Sequence, residues 1–317
     1  MSKLTDIYAP GRPILREVGL RDGLQLTRTY PSTTAKADWI RREYAAGIRH
    51  FEVGSFLPAS RYPQFADIRQ MTDLVNDLGG AWSLGLALNQ RGASDALQAG
   101  LSELTVVLSA TEQHNLANAR RSREQSLAEI ENAVRMRDEA GSDTLINVGI
   151  AMAFGCSLSG WVDPAEVERL VQRCLDIGVD LVGVADTVGY AGPRQIAALC
   201  SRLTSALGDR PYVVHLHDTR GMGIANAMAA LQAGARIFDA SLAGLGGCPF
   251  APGATGNVVM EDLVYLMETS GFPTGVDLDA LIPIRDILAQ AMPEETLHGT
   301  LAQAGAPAGL NWRAAAA

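Results

Sequence analysis

One pattern recurs along the chain: an amphipathic helix, a glycine, one or two apolar residues, then a short β-rich run. It appears as "AAGIRHFEVG", "QAGLSELTVVLS", "EAGSDTLINVGI", "DIGVDLVGVAD" and "QAGARIFDAS". Residues 163–178 show the physics. Asp163 is placed to cap a helix, Pro164 takes its first position, and Val167, Leu170, Val171, Cys174 and Leu175 fall at helical spacing. Gly178 supplies the left-handed stop. The β-rich runs are Ile14–Val18, Phe51–Gly54, Ser83–Ala87, Leu104–Leu108, Leu145–Ile150, Leu181–Ala185, Tyr212–Leu216 and Ile237–Ala240, eight in all. Strands alternating with helices imply right-handed parallel crossovers, and eight such units in about 250 residues predict an α/β chain closed as a (β/α)8 TIM barrel. An open doubly wound sheet would normally offer a Gly-rich phosphate turn after its first strand, and neither GxGxxG nor GxxxxGKS/T occurs. The expected division is a catalytic barrel over 1–270, followed by C-terminal helices over 271–317 packed on it.

Composition narrows the function. A net charge of −9 gives no general attraction to nucleic acid or to an anionic membrane. The four cysteines, Cys156, Cys174, Cys200 and Cys248, form no CxxC pair and suit a reducing compartment. "MSKLTDIYAPGRP" lacks the apolar core of a signal peptide, and no apolar run approaches the roughly 18 residues of a membrane span. The expectation is a soluble, cytoplasmic protein with neither a nucleic-acid nor a membrane partner.

Barrel sites lie at the C-terminal ends of the strands, so the residues just after each run are the candidates. The first run leads into Arg21 and Asp22, the second into "EVGSF" with Glu52 and Ser55, and the sixth into Asp186 and Thr187. His215, His217 and Asp218 end the seventh, and "AGLGGCPFAPGATGN" comes after the eighth. Strand residues two apart share a face, so His215 and His217 can offer imidazole nitrogens to one cation, or form a hydrogen-bonded core pair. Asp22 on the same rim adds a hard carboxylate, and Asn257 a further oxygen, a set that suits an octahedral divalent ion. Adjacent Arg21 and Asp22 can both reach the site only if Gly23 lets the chain turn there. Arg21 could then stabilise a developing oxyanion, or simply pair with Asp22 on the surface. Glu52 could receive a proton, orient a ligand or pair with Arg21. Cys248 is either a proton donor or acceptor on a glycine-rich loop or a small buried residue in a tight turn. Cys174 and Cys200 fall on apolar helix faces and read as packing.

"REVGLRDGLQ", "EVGSF", "HLHDTRG" and "AGLGGCPFAPGATGN" with "EDLVYL" just beyond it resemble the 3-hydroxy-3-methylglutaryl-CoA lyase family, metal-dependent barrel lyases, from about Ile14 to Gly275. The resemblance implies that Asp22, His215, His217 and Asn257 hold Mg2+ or Mn2+. It implies Arg21 as the enolate-stabilising group, Glu52 as an active-site carboxylate, Cys248 as the loop cysteine of a proton relay, and Asp186 with Thr187 as a floor segment. Gln25, Ser55 and Thr187 would bind substrate. The implied reaction is retro-Claisen cleavage of an acyl-CoA to acetyl-CoA and acetoacetate, the chemistry of leucine degradation and ketone-body formation. Barrels of this size often pair, so a homo-oligomer, a dimer, is the expected assembly. Departures limit the substrate: Arg220 stands in "HDTRG" where the family has tyrosine, "RDGLQLTR" replaces "RDGLQNEK", "FGCSL" replaces "LGCPY", and Thr111 replaces a serine. A related 3-hydroxyacyl-CoA such as citramalyl-CoA is one alternative. A Claisen-condensing synthase of the isopropylmalate type is another, although such enzymes lack the "GLGGCP" loop. Basic residues for CoA are expected at Arg28 or in the 120–123 "RRSR" run, which would otherwise be a solvated helix face.

Overall fold

The computed structural model describes residues 3–246 and 256–307. Its strands are β1 (Ile14–Glu17), β2 (His50–Ser55), β3 (Trp82–Leu86), β4 (Glu103–Ser109), β5 (Leu145–Ala151), β6 (Leu181–Asp186), β7 (Val213–Leu216) and β8 (Ile237–Ala240). They close in sequence order into one barrel, each parallel to its neighbours. Every expected run is a strand, with ends displaced by no more than one residue.

Helices α1 (Lys3–Ile7), α2 (Thr33–Ala46), α3 (Ile68–Asp77), α4 (Gln90–Gln98), α5 (Glu112–Ala119) and α6 (Arg123–Glu139) occupy the first half. The second half holds α7 (Pro164–Ile177), α8 (Pro193–Leu207), α9 (Gly223–Gln232), α10 (Met260–Thr269), α11 (Leu278–Leu281), α12 (Arg285–Ala291) and α13 (Thr300–Ala304). In α7, Asp163 accepts from the Ala165 N–H and Gly178 stops the helix at φ +100°, as the sequence pattern demands. Leu278, Leu281 and Leu288 of the C-terminal helices are buried in the main core cluster. No helix among the described residues is long and apolar enough to cross a membrane.

The N-terminal end of the barrel is plugged by α1, which has no counterpart in the sequence periodicity. Ile7 and Tyr8 pack against Ile14, Leu145, Leu181, Val213 and Ile237 at the starts of the strands. Above this plug the interior is polar, where barrels commonly stack branched apolar side chains. Arg16 pairs with Asp239 at 2.7 Å and Glu103 at 2.9 Å, and Tyr8 donates to the other Glu103 oxygen at 2.5 Å. Asn147 donates to Glu103 at 3.0 Å.

His50 joins the plug to β2: its Nε2 lies 2.7 Å from the Ile7 carbonyl and its ring stacks on Tyr8 at 5.2 Å. Burial, reinforced by the charges of Arg16, Arg12 and Arg49, pushes its pKa down to about 4, while unfolding restores a value near 6.5. The stability held by neutral His50 is therefore complete above pH 6.5 and is lost as pH falls through 4. Thermal melts across that window should show Tm falling more steeply in the wild type than in His50→Gln, which takes up no proton. Equal slopes would remove His50 from acid unfolding.

Candidate active site

The C-terminal mouth of the barrel holds a cavity of about 260 Å³, lined by Arg21, Asp22, Gln25, Glu52, Thr187, His215 and His217 among others. Arg21 and Asp22 arrive there together because residues Gly19–Gly23 form a π-helical turn directly after β1. The Gly23 N–H bonds the Val18 carbonyl at 3.2 Å, and such single π turns recur at functional sites. The chain does turn there, as expected, but through the whole π-helical turn rather than through a left-handed Gly23. Gly23 has no positive φ; a side chain there would meet the Leu245 side chain and carbonyl at 3.2–3.3 Å, so its smallness lets two loops touch.

Arg21 stands between two carboxylates, with Nε 2.7 Å from Glu52 Oε2 and Nη1 2.5 Å from Asp22 Oδ1. Burial alone would raise the Asp22 pKa, but the Arg21 charge and the two histidines outweigh it and hold the carboxyl far below the ordinary range. For Glu52 the balance reverses. Burial outweighs Arg21 and lifts it above the usual value, and Oε1 is buried without a hydrogen-bond partner among the described residues.

The histidines leave β7 side by side. His215 lies within the strand, whereas His217 is one residue past its end and is kept extended by an antiparallel bridge to Asn257. Their Nε2 atoms are 3.0 Å apart, and His217 Nε2 is 3.6 Å from Asp22 Oδ2. His215 Nδ1 meets Asp239 at 3.0 Å. That carboxylate places the proton on Nδ1 and leaves the Nε2 lone pair for the cavity. Burial works against protonation of His215, yet Asp239 and Asp22 outweigh it and raise its pKa.

One donor atom each from Asp22, His215 and His217 lies within 4.8 Å of the others, close enough to surround one ion. Two imidazoles and an ionised carboxylate form a donor set that suits a divalent cation. Asn257 Oδ1 is buried with no partner among the described residues, a spare oxygen beside that set. The Asn257 amide nitrogen donates to Asp22 Oδ2 at 2.9 Å and to the Leu245 carbonyl at 3.1 Å, so ligation by Asn257 requires its amide to rotate.

Other expected residues stand elsewhere. Asp186 spends both oxygens on backbone, accepting from Tyr190 N–H at 2.7 Å and Ala191 N–H at 3.1 Å, and it does not line the cavity. Ser55 is buried, its hydroxyl without a partner among the described residues, and it also lies outside the lining. Thr187 lines the cavity and fixes the loop after β5 by accepting from Met152 N–H at 2.9 Å. Cys248 lies outside the described residues. Cys174 and Cys200 are buried on helix faces, and burial pushes both thiols up to about 12, as packing residues. Arg121 and Arg123 of the "RRSR" run are tied to Glu129, Glu112 and Glu166. Arg220, the departure in "HDTRG", donates to the Val188 and Gly189 carbonyls at 2.9 and 2.6 Å and ties the β7 loop to the β6 loop.

A family model described as HMGL-like matches residues 12–288. The chain belongs to the HMGL-like family. It is 39% identical over 287 residues to an (R)-citramalyl-CoA lyase of Chloroflexus aurantiacus, covering 87% of this chain and 90% of that one. It is 32% identical to a hydroxymethylglutaryl-CoA lyase of Bacillus subtilis, covering 91% and 97%. A solved structure of an HMG-CoA lyase from Acinetobacter baumannii, in complex with coenzyme A and 3-methylmalate, superposes with a TM-score of 0.87 at 37% identity, covering 98% and 99%. This HMGL-like chain is a carbon–carbon lyase, as those relatives are.

Sequence reasoning missed Asp239 and Arg16, which orient His215 from inside the barrel. The signal was present: charged residues inside otherwise apolar β-rich runs, "ILREV" and "IFDA". Mn2+ binding read by electron paramagnetic resonance should weaken at least tenfold in His217→Ala, and about 10–100-fold in Asp239→Asn through loss of His215 orientation. Unchanged affinity in His217→Ala would remove the ligand assignment.

Proposed function

We propose that this HMGL-like chain cleaves the C2–C3 bond of a 3-hydroxy-3-methylacyl-CoA in a divalent-metal-dependent retro-Claisen reaction, releasing acetyl-CoA and a keto acid. The observation that carries this reading is the meeting of Asp22, His215 and His217 with Arg21 and Glu52 in one cavity at the barrel mouth. Asp22, His215, His217 and, with its amide turned, Asn257 would hold Mg2+ or Mn2+. When bound, such an ion acidifies a coordinated hydroxyl and orients the substrate oxygens.

The chain's own residues supply the remainder. Glu52 is suited to take the C3 hydroxyl proton at Oε1, because burial raises its pKa and Arg21 occupies its other oxygen. As that proton leaves, the C3–O electrons form the new carbonyl, the C2–C3 pair passes to C2, and negative charge gathers on the thioester oxygen. Arg21, held at Nε and Nη1 by two carboxylates, makes no hydrogen bond through Nη2 to the described residues and offers that edge to the enolate oxygen. Cys248, read from its motif, delivers the proton to C2 and completes acetyl-CoA.

Substrate choice rests on the relatives. Hydroxymethylglutaryl-CoA would leave acetoacetate and citramalyl-CoA would leave pyruvate, by the same bond cleavage on acyl groups one methylene apart. The 39% identity with a citramalyl-CoA lyase supports the second substrate alongside the first. Both thioesters should be offered with Mg2+ and with Mn2+, and acetyl-CoA measured. Cleavage of neither, or release of free CoA from acetyl-CoA plus a 2-keto acid, would overturn the proposal.

Arg21→Met should lower kcat by about 10²–10³ with a smaller change in KM, as expected for a group that acts on transition-state charge. Cys248→Ala should also lose turnover while binding substrate. Unchanged kcat in Cys248→Ala would remove the cysteine from the proton path.

A further inference from the structure

On the outer side of the sheet, behind the rim, three carboxyls are buried to below one per cent exposure: Glu17 at the end of β1, Glu43 on α2 and Glu261 on α10. None of them lines the cavity that holds Asp22 and the histidines. A carboxyl so deep is costly unless its oxygens accept hydrogen bonds, and those of Glu17 accept from two separate turns. Oε1 takes the Gly19 N–H at 2.5 Å and Oε2 takes the Leu242 N–H at 2.9 Å. Gly19 opens the π-helical turn bearing Arg21 and Asp22, and Leu242 opens the turn Leu242–Gly244 after β8. No side chain fits at position 19, where a Cβ would lie 2.5 Å from Glu17 Oε1 and 2.8 Å from the Trp39 ring. Glu261 holds the next amide, Ala243 N–H, at 3.0 Å and pairs with Arg285 at 2.7 Å.

These contacts form a closed ring. The Leu245 N–H bonds the Leu242 carbonyl at 3.2 Å, and the Leu245 carbonyl accepts from Asn257 Nδ2 at 3.1 Å. The same Nδ2 reaches Asp22 at 2.9 Å, and the Asp22 N–H returns to the Val18 carbonyl at 2.7 Å, beside Glu17.

We propose that Glu17 is a positioning residue for the lyase reaction, whose carboxyl group takes one backbone amide from each turn and so sets the separation of Asp22 from Asn257. Its consequence at the metal rests on the ligand assignment proposed above; the link between the two turns does not. Glu43 lies against Glu17 and Trp39. Burial raises both carboxyls, Glu17 to about 8 and Glu43, with the Glu17 charge added, well above the ordinary range. Glu43 is therefore the first of the pair to hold a proton, while the Gly19 and Leu242 amides favour the ionised form of Glu17.

Glu17→Gln preserves shape but turns one acceptor oxygen into an NH2 group that faces a backbone N–H. On the intact protein, hydrogen–deuterium exchange should accelerate in peptides spanning 19–24 and 241–246 together, Mn2+ affinity should fall about tenfold, and kcat should drop more than KM changes. Glu43→Gln leaves both Glu17 bonds in place and should alter none of the three readouts. Wild-type exchange in both peptides of Glu17→Gln would overturn the link between the turns. Faster exchange with unchanged Mn2+ affinity and kcat would overturn the positioning role. A wild-type protein that binds no Mn2+ would instead sink the ligand assignment, and exchange would still judge the link. Glu17→Asp, one methylene shorter and able to reach only one turn, should give the same changes at smaller size and serves if the glutamine variant does not fold.

Discussion

The pairing of β1 with β8 is the constraint on which the rest of the molecule depends. It closes the barrel in the register Ile14 to Ile237 through Glu17 to Ala240, with Arg16 opposite Asp239. Because strand side chains alternate, this register sends Arg16 and Asp239 into the barrel and Glu17 outward toward α2. A slip of one residue would exchange those faces, burying Glu17 in the interior and turning Arg16 out toward the helices. Arg16 is 2% exposed and Asp239 6%, and stripping either of its partner would cost about 3–5 kcal/mol. The pair therefore enforces the register, and the register delivers Asp239 to His215.

The same interior is unbalanced in charge. Arg16 and Arg21 face Asp22, Glu52, Glu103 and Asp239 across the barrel. Burial answers part of the excess by lifting Glu52 and Glu103 toward their neutral forms. Asp22 and Asp239 stay ionised, held down by the guanidiniums, and both border the paired imidazoles. Those imidazoles turn nitrogen toward nitrogen, an arrangement that favours a positive charge between them. The arrangement of charge thus points the same way as the donor chemistry.

Much of this was legible in the sequence. Apolar periodicity and glycine stops mark all eight strands because each helix must bury one stripe and each strand both faces. The spacing of His215 and His217 suffices to place them together, since a period of two leaves no other choice for an extended chain. What periodicity cannot carry is through-space partnership. Arg16 and Glu103 lie 87 positions apart and Arg16 and Asp239 lie 223 apart, and only the closed barrel joins them. Nor does spacing reveal a π-helical turn, because "GLRDG" has the composition of an ordinary loop. Asp186 shows the opposite failure. A carboxylate at the end of a strand can serve substrate or backbone equally well, and here the backbone amides of Tyr190 and Ala191 take it.

The plug beneath the barrel gives the first residues of the chain an unexpected reach. Tyr8 holds Glu103, Glu103 holds Arg16, Arg16 holds Asp239, and Asp239 holds His215, a continuous polar column from the floor to the mouth. A chain shortened past Tyr8 would open that column to water from below and leave Glu103 with one partner fewer. The N-terminal segment, so often trimmed as dispensable, is here the far end of the site's own wiring.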